Sequence, residues 1–159
     1  MKHLPKYIRP RWRYLAVELE STPDAEIDRG TFQREVWYAA GNLLGDPGSA
    51  DADLTVYDFA FADGIGEATV RVRRGETDAA RAALACVDTI NGEPLGLRVQ
   101  GVSGTVRACE ERYLGRRAGD FEQRHVVFAD ADRPASARGG AVDVSMPTGF
   151  VSATELDFE

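Results

Sequence analysis

The chain has 159 residues and a formal net charge of −7 at pH 7, a length that favours one domain with its own apolar core. No apolar run approaches the roughly 18 residues that a membrane-spanning helix needs, and no secretion signal is recognisable, so we expect a cytoplasmic protein without membrane contact. The two cysteines, Cys86 and Cys109, lack CxxC spacing, which favours buried thiols of a cytosolic protein over a disulfide or a metal site.

Positive charge is concentrated at the N-terminus of this acidic chain. Residues 1–14 contain five basic side chains and no acid, whereas residues 119–159 contain eight acids and three arginines. Because local patches rather than net charge decide where a polyanion docks, we interpret residues 1–11 as a basic arm for nucleic acid. Pro5 and Pro10 exclude a regular helix there. The alternative is an unstructured or packed N-terminus without a ligand.

The first predicted elements are a strand and a helix. Alternating apolar residues predict a strand over Trp12–Glu20. Apolar residues at helical spacing then predict a helix from near Thr31 to Gly45, where the glycine is expected to terminate it. Proline and glycine favour a loop over residues 46–53.

A β-hairpin is the strongest local prediction. Asp63 and Gly64 separate two strand-like stretches, residues 54–62 and 65–74, and an Asp-Gly pair is typical of a two-residue hairpin turn. Such a turn fixes the register of the two strands.

The regular register assigns side chains to the two faces of that hairpin. It places Tyr57 and Phe59 on the buried face, and it places Arg71 and Arg73 on the opposite, less buried face. A one-residue slip would bury both arginines, which is too unfavourable to expect. With its aromatic residues turned inward, the sheet is not expected to bind RNA by stacking bases on the middle strands.

The remaining elements complete a familiar topology. We predict a helix over residues 77–88 with Thr77 as N-cap, a fourth strand over residues 95–102, and a last helix over residues 105–117. The order β-α-β-β-α-β predicts an α/β fold, an α+β sandwich with a ferredoxin- or RRM-like antiparallel sheet. The extra C-terminal helix can cover the open face of that sheet.

The C-terminal part differs in composition from the rest. Residues 119–159 are rich in glycine, alanine and aspartate, and we predict an acidic, mostly flexible tail after an RRM-like domain at residues 12–118. Lysine occurs only twice in the chain, while aspartate and alanine are abundant, a bias that indicates a salt-adapted source.

Side-chain catalysis is not indicated. The only histidines, His3 and His125, lie in the two terminal segments, so neither a histidine metal cluster nor a catalytic triad is credible. Glu110 and Glu111 are adjacent on a predicted helix and point about 100° apart, so they do not form a carboxylate pair. A metal-dependent nuclease is therefore disfavoured, and we expect no catalytic residue and no metal ligand.

RNA binding through phosphate contacts is the favoured function. Arginine can bind a phosphate with two parallel hydrogen bonds, and a helix that begins on a Gly-Ser-Gly turn offers free N–H groups to an anion. For the arginines near the hairpin, the alternative is a solvated edge strand that charge keeps unpaired. The residues expected to contact RNA are Lys2, Lys6, Arg9, Arg11, Arg13, Arg71, Arg73, Arg74, Ser103, Thr105 and Arg107.

Two segments carry a resemblance to a known family. The sequence GVSGTVRACEE at residues 101–111, together with KHLPKYIRPRWRYLAVELE at residues 2–20, resembles the protein component 2 family of archaeal ribonuclease P. The similarity covers about residues 1–118 and leaves the tail uncovered.

The resemblance implies a non-catalytic subunit of a ribonucleoprotein that matures the 5′ ends of precursor tRNA. In that family the RNA subunit performs the chemistry with Mg²⁺, so no cofactor is expected on the protein itself. The implied partners are the ribonuclease P RNA, precursor tRNA and ribonuclease P protein component 3, with self-association in a heterotetramer.

A second hypothesis is a stand-alone ferredoxin-like regulatory domain that binds a small anion at residues 101–105. The basic arm discriminates between the two, because a metabolite sensor has no need of it.

Overall fold

The computed structural model of the chain describes residues 3–114, 122–138, 141–154 and 157–158. The α-helices are α1 (Arg29–Ala52), α2 (Thr77–Ala85) and α3 (Val106–Tyr113). The strands are β1 (Trp12–Glu20), β2 (Thr55–Ala62), β3 (Ile65–Arg73), β4 (Thr89–Ile90), β5 (Glu93–Pro94), β6 (Gly96–Ser103), β7 (Glu122–Phe128), β8 (Ala131–Arg138), β9 (Ala141–Met146) and β10 (Gly149–Thr154).

Four strands form an antiparallel sheet in the order β2-β3-β1-β6, which we call the main sheet. Alternate residues of β1 project to opposite sides, and Leu15, Val17 and Leu19 are fully buried in one core with Phe32 and Val36 of α1. Helix α2 adds apolar residues to the same core. We call the side of the main sheet that faces away from α1 and α2 the outer face. This arrangement confirms the α+β class predicted from the sequence.

The predicted hairpin between β2 and β3 is confirmed. Asp63 and Gly64 both have positive φ, 54° and 79°, as a two-residue turn of this kind requires. Next to the turn, Ala62 pairs with Ile65, so the predicted register holds near the turn.

The register prediction was wrong at Tyr57. A β-bulge between Val56 and Asp58 brings Val56, rather than Tyr57, opposite Val70. Val56 is therefore fully buried, whereas Tyr57 points away from the core and is 54 % exposed. The buried position is filled by a small β-branched side chain, and the tyrosine hydroxyl needs no buried partner.

Helix α1 fixes this register by bonding to the edge of the main sheet. The Gln33 side chain accepts a hydrogen bond from Val56 N–H (2.7 Å) and donates one to the Leu54 carbonyl (3.3 Å). Arg29 donates to the Val56 carbonyl (2.7 Å), and Trp37 Nε1 donates to the Leu54 carbonyl (2.8 Å). Because β2 is an edge strand, these side chains satisfy backbone groups that no neighbouring strand can reach.

The loop predicted over residues 46–53 was wrong. The chain leaves helical geometry only at Gly45 (φ 71°) and then continues helically to Ala52. Pro47 is tolerated because it lies in the first turn of the second helical segment, where its missing N–H has no intrahelical partner. Gly45 therefore ends the first helical segment, as predicted, and a second helical segment follows directly after this kink.

Asp28 caps the N-terminus of α1, since its carboxylate accepts a hydrogen bond from Thr31 N–H (2.7 Å). This bond lowers the pKa of Asp28 below its ordinary value. A lowered pKa stabilises the fold above the unfolded-state pKa, and that stabilisation is lost as the pH falls through the folded-state pKa.

We expect Asp28→Ala to lower the Tm by a few degrees near neutral pH, with a smaller difference from wild type in acid. Thermal melts across that range check this, with Asp24→Ala as control, and a difference that does not change with pH would contradict it.

Helices α2 and α3 agree with the sequence in position, with differences at their ends. Glu76, not Thr77, is the N-cap of α2, and it makes no capping bond, so that assignment was wrong. After α2 ends at Ala85, a short β4–β5 hairpin precedes β6, which was not predicted. Thr105 caps α3, and the predicted continuation of that helix to residue 117 runs outside the described residues.

Four strands lie where the sequence predicted a mostly flexible tail, so that expectation was wrong for the described residues. Strands β7 to β10 form an antiparallel sheet in the order β10-β9-β8-β7, which we call the second sheet. Its small core is built from Val126, Ala135, Val142, Val144 and Ala153.

The second sheet contacts the main sheet at β6. The ring of Phe150 lies so close to Gly96 that an added Cβ there would be 3.1 Å from Phe150 Cδ2. Arg98 and Asp143 also approach each other across this junction, at 3.9 Å.

Candidate nucleic-acid interface

Trp12 is the centre of a cluster of arginines on the outer face. Antiparallel pairing of β1 with β3 sets Trp12 opposite Arg73 and Tyr14 opposite Arg71. The Arg71 guanidinium lies 4.0 Å from the centre of the Trp12 ring, and that of Arg73 lies 5.2 Å from it. Both distances are within the range of cation–π attraction, which holds the two guanidinium groups beside the indole. Arg73 also pairs with Asp53 at 3.5 Å.

Arg71 is half-buried in this cluster, as the register predicted. Its Nε is buried and has no hydrogen-bond partner within the described part of the chain. Arg73 is exposed. The prediction that both arginines lie on the less buried side is confirmed.

Two tyrosines continue the cluster along the outer face. The rings of Tyr14 and Tyr57 meet edge-to-face, with centroids 6.0 Å apart and planes at 79°. Ser103, which pairs with Tyr14 on the other side of β1, is buried, and its hydroxyl is unpaired among the described residues. On the outer face, flat aromatic groups thus lie beside fixed positive charge. We call this surface the Trp12 cluster; it consists of Trp12, Tyr14, Tyr57, Arg71 and Arg73.

The basic arm is tied to the same end of the sheet. A short 3₁₀ turn spans Lys6–Ile8, and Arg9 Nε donates a hydrogen bond to the Leu4 carbonyl. The Arg74 N–H donates to the Arg11 carbonyl at 2.9 Å, so the end of the arm is held next to the end of β3. The basic side chains of the described arm are all exposed: Lys6, Arg9 and Arg11. Lys2 lies outside the described residues.

The other predicted contacts are less available. Arg13 is half-buried and donates to the Trp12 carbonyl at 3.3 Å. Arg107 pairs with Glu111 one turn along α3, at 2.7 Å. The Thr105 hydroxyl accepts from Ala108 N–H at 3.2 Å, so an anion at this helix N-terminus would compete with the cap. The structure therefore favours the arm and the Trp12 cluster over the turn before α3.

Sequence reasoning missed the outward position of Tyr57 and the role of Trp12 as the platform for Arg71. The alternation in β1 could have placed Trp12 and Tyr14 on one face with the arginines of β3. No local signal marks the bulge that turns Tyr57 outward, because the bulge depends on bonds from α1 to β2.

Helix α3 covers part of the outer face. The ring of Tyr113 lies against Gly101 of β6. Cys109 of α3 faces the sheet and is fully buried, with its thiol 3.8 Å from the Tyr14 carbonyl oxygen. Burial raises the pKa of the Cys109 thiol, and the charge of Glu110 adds to that rise. This thiol is therefore a packing group rather than a nucleophile.

The other end of the main sheet is acidic. Glu18 and Glu20 are buried there and line a cavity of about 320 Å³, together with Arg98, Asp143 and Phe150. In the ranges that the structure describes, no group of three His, Cys, Asp or Glu side chains is placed to hold a metal ion. Over the same ranges, no helix is long and apolar enough to cross a membrane.

Comparison with known proteins places this chain among a group of relatives. A model of the Rpp14/Pop5 family matches residues 13–114, which contain α1, α2, α3 and the main sheet apart from Trp12. A ribonuclease P protein component 2 from Halorubrum lacusprofundi is 57 % identical over 159 residues, covering 100 % of both chains. One from Natronomonas pharaonis is 60 % identical over 157 residues, covering 99 % of this chain and 98 % of the other.

A relative with lower identity matches a shorter part of this chain. The component 2 from Methanosarcina mazei is 38 % identical over 114 residues, which is 72 % of this chain and 93 % of the other. The second sheet lies outside the family match, whereas the salt-adapted relatives match over nearly the whole chain. The resemblance to the component 2 family is confirmed, and the chain belongs to the Rpp14/Pop5 family.

Proposed function

We propose that this chain is a protein subunit of ribonuclease P that binds and organises the RNA subunit for 5′ maturation of precursor tRNA. The observation that carries the proposal is the match, along nearly the full chain, to relatives named ribonuclease P protein component 2. Identity of 57 % and 60 % over nearly the full length means that these relatives share the fold of this chain.

The charges of the described residues support an RNA-binding role. The exposed cations of the arm and the Trp12 cluster lie at one end of the main sheet, and the buried carboxylates Glu18 and Glu20 lie at the other. Such a separation presents one basic surface to a polyanion although the whole protein is acidic. Arginines there can bind phosphates with two parallel hydrogen bonds.

The finer features of the role belong to the same proposal. The strand order β2-β3-β1-β6 supports a ferredoxin- or RRM-like plan for the main sheet. We take the chemistry to be that of the RNA subunit with Mg²⁺, the protein to work without a cofactor, and the complex to be cytoplasmic. Its other partners would be precursor tRNA and protein component 3, with self-association in a heterotetramer.

Reconstitution of precursor tRNA cleavage tests the proposal. We expect the RNA subunit with its other protein partners to cleave at the correct 5′ site efficiently only when this chain is added. The purified chain without RNA should not cleave. Equal activity with and without the chain would contradict the proposed function, and cleavage by the RNA-free chain would contradict the non-catalytic role.

A further inference from the structure

Tyr57 is an exposed aromatic ring with a fixed orientation. The bulge in β2 turns it to the outer face, and its edge-to-face contact with Tyr14 holds the ring while 54 % of the residue remains exposed. A tyrosine with an exposed ring is a suitable platform for a nucleobase, because every base has a flat aromatic surface.

A positive charge lies next to this platform. In the main sheet Arg71 sits between Tyr14 of β1 and Thr55 of β2, and Thr55 is two residues from Tyr57. Stacking on Trp12 at 4.0 Å holds its guanidinium, which forms no ion pair with the residues that the structure describes. Its buried Nε has no hydrogen-bond partner there either, which is unfavourable for a polar group.

We propose that Tyr57 and Arg71 form a binding site for one unpaired nucleotide of RNA, with the base stacked on Tyr57 and its phosphate on Arg71. This inference rests on the proposed function for its ligand class and adds a mode of binding to it. It reverses the expectation from the regular hairpin register, which turned the aromatic residues of β2 inward.

The nearby acids leave this site open to a phosphate. The carboxylate of Asp58 accepts a hydrogen bond from Phe59 N–H at 2.9 Å, and that of Asp53 pairs with Arg73. Glu18 and Glu67 also belong to this face, and they lie opposite each other on β1 and β3, four pairs along the strands from Tyr14 and Arg71.

The salt-adapted character of the protein favours such a site. Screening shortens the reach of charge from about 10 Å at 0.1 M salt to about 3 Å at 1 M, and counterion release contributes less to binding as salt rises. Stacking is not screened, so a stacked base keeps its contribution to affinity where phosphate contacts lose much of theirs.

The test compares Tyr57→Ala with Tyr57→Phe and with Tyr38→Ala, which removes another exposed tyrosine, from α1. The probe is a single-stranded RNA of about ten nucleotides, and the control ligand is a duplex of that length. Affinity is measured by fluorescence anisotropy, from the lowest KCl concentration at which circular dichroism shows a folded protein up to about 1 M.

We expect Tyr57→Ala to weaken single-strand binding by roughly 10-fold, with that loss persisting at high salt and no comparable loss for the duplex. Tyr57→Phe and Tyr38→Ala should bind like wild type. Equal losses for Tyr57→Ala and Tyr38→Ala, or equal losses on single strand and duplex, would overturn the site. Unchanged RNA affinity with lost binding of protein component 3 would assign the surface to a protein partner instead.

Further measurements show whether the nucleotide comes from the RNA subunit or from precursor tRNA. They also distinguish failure of the proposed function from failure of the Tyr57–Arg71 site. A loss of affinity of Tyr57→Ala for the RNA subunit alone would place the nucleotide in that RNA. A loss only with precursor tRNA that carries its 5′ extension would place it in the substrate. Wild-type protein that fails to bind the RNA subunit would contradict the proposed function, whereas normal binding by Tyr57→Ala on every RNA would contradict only this inference.

Discussion

Replacing Arg9 and Arg11 together by glutamine is expected to weaken binding to the ribonuclease P RNA by about 30-fold at moderate salt. Both side chains are exposed on the basic arm, which the Arg74 N–H holds beside the end of β3. At up to about 1 kcal/mol for each exposed ion pair, two contacts amount to about 2 kcal/mol, and 1.4 kcal/mol corresponds to about tenfold in affinity. Arg13 is left unchanged because it is half-buried.

The salt dependence of binding shows how many phosphate contacts the two arginines of the arm make. Each lost phosphate contact should reduce the slope of log affinity against log salt by about 0.9, so the double variant should lose nearly 2 from the slope. The control variant carries Arg34→Gln and Arg81→Gln, which remove the same charge from exposed positions on α1 and α2. An equal change of slope in both variants would mean that net charge, rather than the arm, determines affinity.

The arm was predictable from the sequence, because its composition alone separates it from the rest of the chain. The hairpin was predictable for a similar reason, since Asp63 and Gly64 adopt the positive φ angles that their residue types favour. Where a feature depends on local chemistry, the sequence was enough.

The bulge at Tyr57 was not predictable, because its cause lies elsewhere in the chain. Gln33 and Arg29 bond to the backbone of Val56, and that places a valine rather than the tyrosine in the core. The sequence of β2 itself contains no signal for the hydrogen bonds that α1 makes to it. The consequence for function is large, since one displaced residue moves an aromatic ring from the core to the candidate RNA surface.

The second sheet was missed for a different reason. Its core consists of small residues such as Val142, Val144 and Ala153 in short strands, so the alternation of apolar residues is weak. Glycine and aspartate between those strands resemble the composition of a flexible segment. Four short strands can share one core although the apolar pattern of each strand alone is too weak to predict it.

Gly101→Ala is expected to destabilise the protein by about 2 kcal/mol, which lowers the Tm by roughly 4 to 8 °C for a chain of this length. An added Cβ at Gly101 would overlap the ring of Tyr113, which lies directly against β6. The glycine is needed for this close approach of α3 and the sheet. The helix must shift to accept the methyl group, and its residue Cys109, which is fully buried against the sheet, should become accessible.

Thermal melts and thiol labelling check this prediction together. In a Cys86→Ser background, which removes the exposed thiol, Cys109 should react slowly with a thiol reagent in the parent and faster after Gly101→Ala. The matched control is Gly41→Ala in α1, where an added Cβ meets nothing within 4 Å and alanine should stabilise the helix by about 0.5–1 kcal/mol.

Tyr113→Ala in the Gly101→Ala background separates overlap from other effects of the methyl group. Removing the ring should relieve the clash, so the second substitution should destabilise the double variant less than it destabilises the parent protein. Equal effects of Tyr113→Ala in both backgrounds would mean that the two residues do not interact. In that case the position of α3 over the outer face would not depend on Gly101.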